Sequence, residues 1–366
     1  MPLNLVVQTA FLGDLLLSIP LLKRCKELWP DHKLALVCRQ GLGDFLLKTQ
    51  LVDQVFEIQK GNKESYRKIV EHLKTQEVNY VISPHQSVRT AFFCRQIQAK
   101  HKIGYKNFWS FFAYDSRIPR NSFLPDALRQ MSLLQTVDKE LESLLKDYRD
   151  QERPYAPQEY GRLSAPPAWA SMSLRSTVLN NELFAELEKK FQLQGFKEGK
   201  AVLIFPGSVW ATKRWTDEGF IKAGQALKAQ GYVIYVMGGP GEEELAERVA
   251  AQIPDTVSLA GKTKIFESAQ LIARAALLIG NDSASTHLAS VCETPLIAVF
   301  GPTILEFGFR PWSAQSYVVQ NEELACRPCG KHGHQVCPIK THVCMKNISA
   351  DEVLKSAGFI LRPNNP

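Results

Sequence analysis

The 366-residue sequence has no apolar run of the roughly 18 to 20 residues that a membrane-spanning helix requires. The longest near-candidate, Leu15–Leu22, is short and contains Pro20. The amino terminus lacks a basic segment and a small-residue cleavage site, so we expect no secretory signal and a cytoplasmic location. Without an export signal, the eight cysteines favour thiols or metal ligands over disulfides. Hydrophobic residues at 45% and charged residues at 22% exclude a disordered or fibrous chain.

The net charge of +7 is unevenly distributed along the chain. Residues 1–120 carry 18 Lys and Arg against 10 Asp and Glu, whereas the remaining residues carry 26 against 27. The first part alone is therefore basic. This bias indicates either an anionic partner, such as nucleic acid, a phosphorylated glycolipid or a membrane surface, or only a solvated surface.

Short runs rich in Val, Ile and Leu alternate with helical-period segments, a pattern typical of βα units in a parallel sheet. The pattern occurs twice, so we predict an α/β protein with two Rossmann-like domains facing a central cleft. A stretch rich in Pro, Ser and Ala, Glu152–Ser176, is the predicted linker. The predicted domains are residues 1–175, residues 176–348 with a Cys-rich segment at 326–344, and a final helical segment, 349–366, that packs across the domain boundary.

Ligands of open α/β folds bind at the carboxyl ends of the strands, so strand-to-helix turns are the candidate sites. The first such turn, Thr9-Ala10-Phe11-Leu12-Gly13-Asp14, follows the first predicted strand. Gly13 permits a close backbone approach. Asp14 is either a helix-capping residue or a general base, and the capping role alone explains its type and position.

Two further turns in the second half suit an anionic ligand. Phe205–Trp215 contains Gly207-Ser208 and then Lys213-Arg214, a combination of backbone amides and cations that suits a phosphate group. It lacks the Walker A arrangement, and an exposed basic loop is the alternative. Asn281–His287 places Asp282, Ser283, Ala284 and His287 at a predicted helix amino terminus, which favours an anion or is simply an elaborate cap.

Other segments are weaker candidates. Gly239 lies in a turn that can let a nucleotide approach the backbone or can be only flexible. Arg89 and Arg95 follow the fourth predicted strand, where they can bind an anionic acceptor or serve only as surface charge. Half of the cysteines, Cys326, Cys329, Cys337 and Cys344, fall within 19 residues. Cys326 and Cys329 have the spacing of metal ligands, but Cys337 and Cys344 do not form a second such pair. The four cysteines are therefore structural zinc ligands, packed thiols or a redox-labile pair.

In their order along the chain, these motifs resemble the lipopolysaccharide heptosyltransferases of glycosyltransferase family 9, which have the GT-B fold. The motifs that carry the resemblance are Phe11-Leu12-Gly13-Asp14 with Ile19-Pro20, Phe205-Pro206-Gly207-Ser208 with Lys213-Arg214-Trp215, Gly280-Asn281-Asp282-Ser283 with His287, and Phe300-Gly301-Pro302-Thr303. The cysteine cluster is similar to the tail of the heptosyltransferase II branch. Ala284 departs from the family, which often has glycine at that position, and Val209 replaces a hydroxyl residue of some members.

The resemblance implies an inverting, metal-independent transfer of heptose from ADP-heptose to the lipopolysaccharide inner core, on lipid A-Kdo or a heptosylated acceptor. No cofactor is implied. By carry-over, Asp14 deprotonates the acceptor hydroxyl and Lys213 neutralises the departing diphosphate. The implied donor-binding residues are Ser208, Lys213, Gly239, Asp282, Ser283, Ala284 and His287, and the acceptor-binding residues are Gly13, Arg89 and Arg95. An anionic glycolipid acceptor also implies peripheral attachment to the inner leaflet of the inner membrane.

Two other interpretations remain open from the sequence. A sugar-nucleotide epimerase of the same two-domain architecture is one, although the chain lacks a dinucleotide fingerprint after its first strand. A non-enzymatic, zinc-bearing nucleic-acid-binding protein is the other. The basic excess lies far from the cysteines in sequence, so we expect no nucleic-acid partner.

Overall fold

The computed structural model describes residues 1–150 and 157–362. The first residues of the predicted linker, 152–156, lie outside the described residues. Of the described residues, 1–150 and 168–172 form one compact unit, and 157–167 and 173–362 form a second. Within these ranges no helix is both long and apolar enough to cross a membrane.

The first unit is built on a parallel six-stranded sheet in the order β3-β2-β1-β4-β5-β6. Every residue of β1 is buried, as expected for a parallel sheet covered on both faces. Side chains of α4 and α5 pack with those of β1, β2 and β4 in one hydrophobic core. The strands are β1 Leu3–Gln8, β2 Lys33–Arg39, β3 Gln54–Ile58, β4 Val78–Ser83, β5 His101–Tyr105 and β6 Ser116–Ile118. The helices are α1 Leu12–Leu16, α2 Ile19–Leu28, α3 Gly43–Lys48, α4 Lys63–Leu73, α5 Val88–Gln96, α6 Asp126–Met131 and α7 Lys139–Arg149.

The second unit repeats this topology with a parallel sheet in the order β12-β11-β10-β7-β8-β9. Its core joins the central strands to α10 and α11 and to the final helix. The strands are β7 Ala201–Phe205, β8 Val233–Val236, β9 Val257–Ser258, β10 Leu277–Asn281, β11 Leu296–Phe300 and β12 Ser316–Gln320. The helices are α8 Arg175–Val178, α9 Asn181–Phe191, α10 Asp217–Ala229, α11 Glu243–Ala250, α12 Ile265–Ile272, α13 Ala284–Val291, α14 Val343–Lys346 and α15 Ala350–Ile360.

The predicted α/β class with two Rossmann-like parallel sheets is confirmed, and three local expectations change. The helical-period pattern of the sequence predicts one helix near Asp14–Leu28, whereas the structure has two helices there, α1 and α2. Pro20 lies in the first turn of α2, where its missing N–H costs nothing, so a new helix begins there. The last strand of each sheet, β6 and β12, is absent from the sequence prediction.

The final helix, α15, packs within the second unit, against α10 and against β11 and β12. Ser349 and Glu352 form a capping box at its start, and Val353 and Ala357 are fully buried. Ser356 Oγ donates to the backbone oxygen of Tyr160 at 2.8 Å. Its packing across the domain boundary stays a prediction.

Candidate active site

The candidate donor site lies where the second sheet reverses its strand order. β7 has β8 on one side and β10 on the other, so the loops that follow β7 and β10 diverge at the carboxyl edge of the sheet. In open α/β sheets this divergence creates the crevice in which ligands bind. Ser208 and Lys213 lie in the loop after β7, and Asp282, Ser283 and Ala284 follow β10.

A buried ion pair joins Lys213 and Asp282 in this crevice. Lys213 Nζ lies 2.5 Å from Asp282 Oδ2, and the side chains are only 12% and 5% exposed. The hydroxyl of Thr303, after β11, donates to the same carboxylate oxygen at 2.6 Å. Asp282 therefore fixes the ammonium at the mouth of the crevice. Thr303 belongs to a motif recognised in the sequence, but neither its contact with Asp282 nor the Lys213–Asp282 pairing was predicted, because the partners are separated by 21 and 69 residues.

Asn281, the last residue of β10, ties the loop after β7 to the sheet. Its Oδ1 accepts from the backbone N–H of Trp215 at 2.8 Å, and its Nδ2 donates to the backbone oxygen of Pro206 at 2.8 Å. The loop is thus held at both ends. Between them, Ala211–Lys213 forms one 3₁₀ turn, which presents Lys213 toward Asp282.

The amino terminus of α13 opens onto the same loops. Ser283 is its N-cap residue, but the side chain makes no capping hydrogen bond and instead pairs with Ser285 Oγ at 2.9 Å. Ala284 is the first helical residue, so its backbone N–H is among those that the helix leaves for a ligand or water. His287 lies one turn in and is 4% exposed, which places it among the packed residues of the unit.

Gly239 lies at the adjacent strand end, after β8, beside a carboxylate that the sequence prediction omitted. The backbone N–H of Gly239 donates to Glu242 Oε2 at 2.8 Å. A Cβ atom on Gly207 would lie 2.1 Å from Glu242 Oε1, so a larger residue at position 207 would displace the Glu242 carboxylate. The Glu242 carboxylate, a hydrogen-bond acceptor, therefore lies near Ser208, where the loops after β7 and β8 meet.

Asp14 occupies the corresponding position in the first unit, after β1. It is half-buried at the third position of α1, and burial together with the nearby charge of Asp126 raises its pKa to about 6. Phe11, not Asp14, is the N-cap residue of α1, so the capping interpretation of Asp14 is wrong. The backbone N–H of Phe11 partly offsets the rise in the pKa of the Asp14 carboxylate. Gln130 Nε2 donates to the backbone oxygen of Asp14 at 3.0 Å and to Asp126 Oδ2 at 2.9 Å.

Cations gather around Asp14. Burial lowers the pKa of the Lys60 ammonium, and the neighbouring Arg39 and Arg89 lower it further, whereas Asp14 raises it. Arg39 and Lys60 both lie over the exposed ring of Phe11, at 5.4 and 5.5 Å from its centre. Several cations that disfavour one another's charge create a site for an anion. Of these, only Arg89 was predicted from the sequence.

Of the other two predicted acceptor residues, the structure separates Arg95 from Asp14 and keeps Gly13 beside it. Arg95 lies at the far end of α5 from Arg89, with its guanidinium 5.7 Å from the ring centre of Phe112. It therefore belongs to a different surface from the Asp14 cluster. Gly13 lies in the first turn of α1, next to Asp14.

His85 links the loop after β4 to the loop after β1. Its Nδ1 lies 2.7 Å from Thr9 Oγ1 and 2.8 Å from Thr90 Oγ1. Burial, with a smaller effect from Lys60, lowers its pKa to about 4, so the ring is neutral at pH 7.

The cysteine cluster brings its thiols near one another, since Cys329 and Cys344 each interact electrostatically with the other cysteines of the segment. In residues 1–150 and 157–362, no group of three or more His, Cys, Asp or Glu side chains is arranged to hold a metal ion. Burial raises the pKa of the Cys344 thiol to about 11, and burial also raises that of Cys329. All eight cysteines are free. The charges of Cys326, Cys329 and Cys337 also act on Cys344, so the four thiols lie near one another, and a structural zinc role for them stays a prediction.

Comparison with known families identifies the chain. The profile of glycosyltransferase family 9 (heptosyltransferase) matches residues 66–340, three quarters of the sequence. The chain belongs to glycosyltransferase family 9. The family membership confirms the resemblance drawn from the motifs and favours a glycosyltransferase over an epimerase or a nucleic-acid-binding protein.

This family 9 chain is similar to several heptosyltransferases. Lipooligosaccharide heptosyltransferase 2 of Campylobacter jejuni is 30% identical over 190 residues, which span 49% of this chain and 58%, less than two thirds, of that protein. Lipopolysaccharide heptosyltransferase 3 of Escherichia coli is 27% identical over 83% of this chain and 84% of that protein. The structure of E. coli ADP-heptose LPS heptosyltransferase II covers 99% of this chain and 98% of its own, with a TM-score of 0.74 and 19% identity. The shared fold confirms the GT-B class, whereas the heptosyltransferase II branch stays a prediction.

The first prediction for this family 9 chain concerns the buried ion pair. Lys213→Met should lower the free energy of unfolding by about 3 to 5 kcal/mol, because Asp282 is left buried and unpaired. The double variant Lys213→Met/Asp282→Asn should recover most of this loss, because the amide keeps the Thr303 hydrogen bond without a charge. Urea unfolding of the three proteins measures both effects.

A matched control is the exposed pair Lys222–Glu218 in α10, whose side chains are 62% and 75% exposed. Lys222→Met should cost less than about 1 kcal/mol. Equal costs for Lys213→Met and Lys222→Met would mean that the Lys213–Asp282 pair is solvated in solution.

The second prediction concerns Asp14. Its pKa is raised in the folded protein, so its ionisation opposes folding, and stability from this group is lost as pH rises between about 4 and 6. Asp14→Asn should therefore be more stable than the wild type by about 1 to 3 kcal/mol at pH 7.5, with the difference vanishing near pH 4. Thermal unfolding at the two pH values measures this difference. A variant less stable than wild type at pH 7.5 would contradict the raised pKa.

Proposed function

We propose that this family 9 chain is an inverting glycosyltransferase that transfers heptose from ADP-heptose to the inner core of lipopolysaccharide. The observation that carries the proposal is the Lys213–Asp282 pair beside the amino terminus of α13, at the strand-order reversal of the second sheet. A fixed ammonium and free helix N–H groups suit the diphosphate of a nucleotide sugar. The choice of heptose as the sugar and ADP as the nucleotide rests on the relatives, which are heptosyltransferases and include an ADP-heptose LPS heptosyltransferase.

In the proposed reaction the acceptor hydroxyl attacks the anomeric carbon of the heptose from the face opposite the diphosphate. The new C–O bond forms as the bond between the anomeric carbon and the phosphate oxygen breaks, and its electron pair leaves with ADP. Asp14 takes the hydroxyl proton. Its pKa of about 6 keeps it ionised at neutral pH while leaving it basic enough to accept that proton.

Lys213 stabilises the negative charge that develops on the departing diphosphate, with the N–H groups of Ala284 and its neighbours in support. This role requires no divalent ion. Asp282 takes a different role from the one expected: as a carboxylate it repels phosphate, so we assign it to holding Lys213. Glu242 is suited to accept a hydrogen bond from a ribose hydroxyl, the role that acidic residues have in other Rossmann-like nucleotide sites.

The acceptor is, in this proposal, an anionic glycolipid, and the cluster of Arg39, Lys60 and Arg89 near Asp14 binds its phosphate or acidic-sugar groups. Cations are needed there, because an anionic acceptor would otherwise be repelled by the Asp14 carboxylate. Peripheral attachment to an anionic membrane surface follows from the same acceptor. Arg95 is not part of this assignment.

The test of the donor assignment is calorimetric binding of ADP, UDP, GDP and NAD to the wild-type protein. ADP should bind most tightly, and Lys213→Met/Asp282→Asn should lose at least about tenfold in ADP affinity, because the diphosphate loses its cation. The control Lys222→Met should bind ADP like the wild type. Preference for UDP or NAD would reject the ADP-heptose assignment.

The base assignment is tested by turnover. Asp14→Asn should lose most activity with ADP-heptose and a heptose-free inner-core acceptor while keeping ADP affinity within about twofold, because the amide cannot accept the proton. In the wild type, kcat/KM should fall as pH drops below about 6, where Asp14 becomes protonated. Retained turnover in Asp14→Asn, or loss of ADP binding instead, would overturn the assignment.

A further inference from the structure

The cysteine-rich segment, residues 326–344, has no role in the proposed chemistry, yet it contacts the loop that carries Lys213. Thr212 and His334 form three hydrogen bonds: Thr212 N–H to His334 O at 3.0 Å, Thr212 Oγ1 to the same oxygen at 2.8 Å, and His334 N–H to Thr212 Oγ1 at 2.7 Å. His342 Nε2 lies 2.8 Å from the backbone oxygen of Thr212, which it can only meet as a donor. Every polar group of Thr212 is thus engaged by this segment.

The segment also packs closely on Lys213 itself. A Cβ atom on Gly333 would lie 3.2 Å from Lys213 Cγ and 3.1 Å from Thr212 Oγ1. The φ of Gly333 is +80°, a conformation that favours glycine. The backbone at Gly333 therefore packs against the aliphatic part of the Lys213 side chain.

The same segment reaches the other partner of the ion pair. Arg327 donates from Nε and Nη2 to the backbone oxygen of Thr303, at 3.0 and 2.6 Å. The N–H of Cys329 donates to the backbone oxygen of Pro302 at 3.0 Å. Thr303 in turn holds Asp282 through its hydroxyl.

We propose that the segment 326–344 is a clamp that sets the position of the Lys213 ammonium, with His342 and His334 as positioning residues at the lysine end and Arg327 at the Asp282 end. The diphosphate role of Lys213 rests on the proposed function, whereas the clamp itself rests on the contacts above. A lysine ammonium is a point charge on a flexible four-carbon stem, so its placement depends on the backbone beneath it. Displacements near 1 Å are enough to weaken a preorganised site strongly.

The test compares His342→Leu, which removes the donor to Thr212, with His342→Gln, which restores an N–H donor at a similar reach. Val336→Ala is the control within the segment, since the side chain of Val336 is 74% exposed. ADP affinity is measured by calorimetry, and backbone hydrogen exchange over residues 208–215 is measured without nucleotide. His342→Leu should lose about tenfold in ADP affinity and exchange faster over 208–215, with exchange elsewhere unchanged. His342→Gln and Val336→Ala should stay within about threefold of wild-type affinity.

Wild-type affinity and wild-type exchange in His342→Leu would overturn the clamp, as would equal losses in His342→Leu and His342→Gln. Faster exchange spread over the whole second unit would also overturn it, because the effect would then be general destabilisation. If the wild type binds no ADP but His342→Leu still exchanges faster over 208–215 alone, the donor assignment fails and the clamp stands.

Discussion

The buried ion pair of Lys213 and Asp282 is the interaction on which the candidate donor site depends. Both side chains are largely buried, and removing an ion from water costs several kcal/mol, so each charge depends on the other for stabilisation. The pairing therefore requires that the loop after β7, the start of α13 and the turn after β11 meet within hydrogen-bond distance. Asn281 and Thr303 provide the remaining connections, one through the backbone of the loop and one through the carboxylate.

The two units use the same topology for different electrostatics. At the strand-order reversal of the first sheet, burial and Asp126 make Asp14 a stronger base than an exposed carboxylate, and the surrounding cations suit an anion. At the corresponding place in the second sheet, a lysine is held beside a helix amino terminus. One unit is thus suited to accept a proton, and the other is suited to stabilise a departing negative charge.

Stability and function oppose each other at Asp14. The burial that raises its pKa also makes its ionised form costly at neutral pH, so the fold would be more stable with a neutral residue there. In the cysteine-rich segment, stability and function agree. Its hydrogen bonds to Thr212 and Thr303 stabilise the fold, and the same bonds position the Lys213–Asp282 ion pair. A segment that the sequence marks by its thiols therefore matters in this structure through histidine, arginine and backbone groups.

The sequence by itself determined the two parallel sheets, since fully buried strands read as continuous apolar runs, and it determined which strand-to-helix turns carry Asp14, Lys213 and Asp282. Local pattern missed β6 and β12 and the break before Pro20, because short edge strands and helix interruptions leave weak signals. Only the tertiary structure decided that Asp282 pairs with Lys213, that Arg39 and Lys60 join Arg89 near Asp14 while Arg95 does not, and that His342 supports Thr212. These contacts link residues far apart in sequence, and their energies depend on distance and burial, which no local pattern encodes.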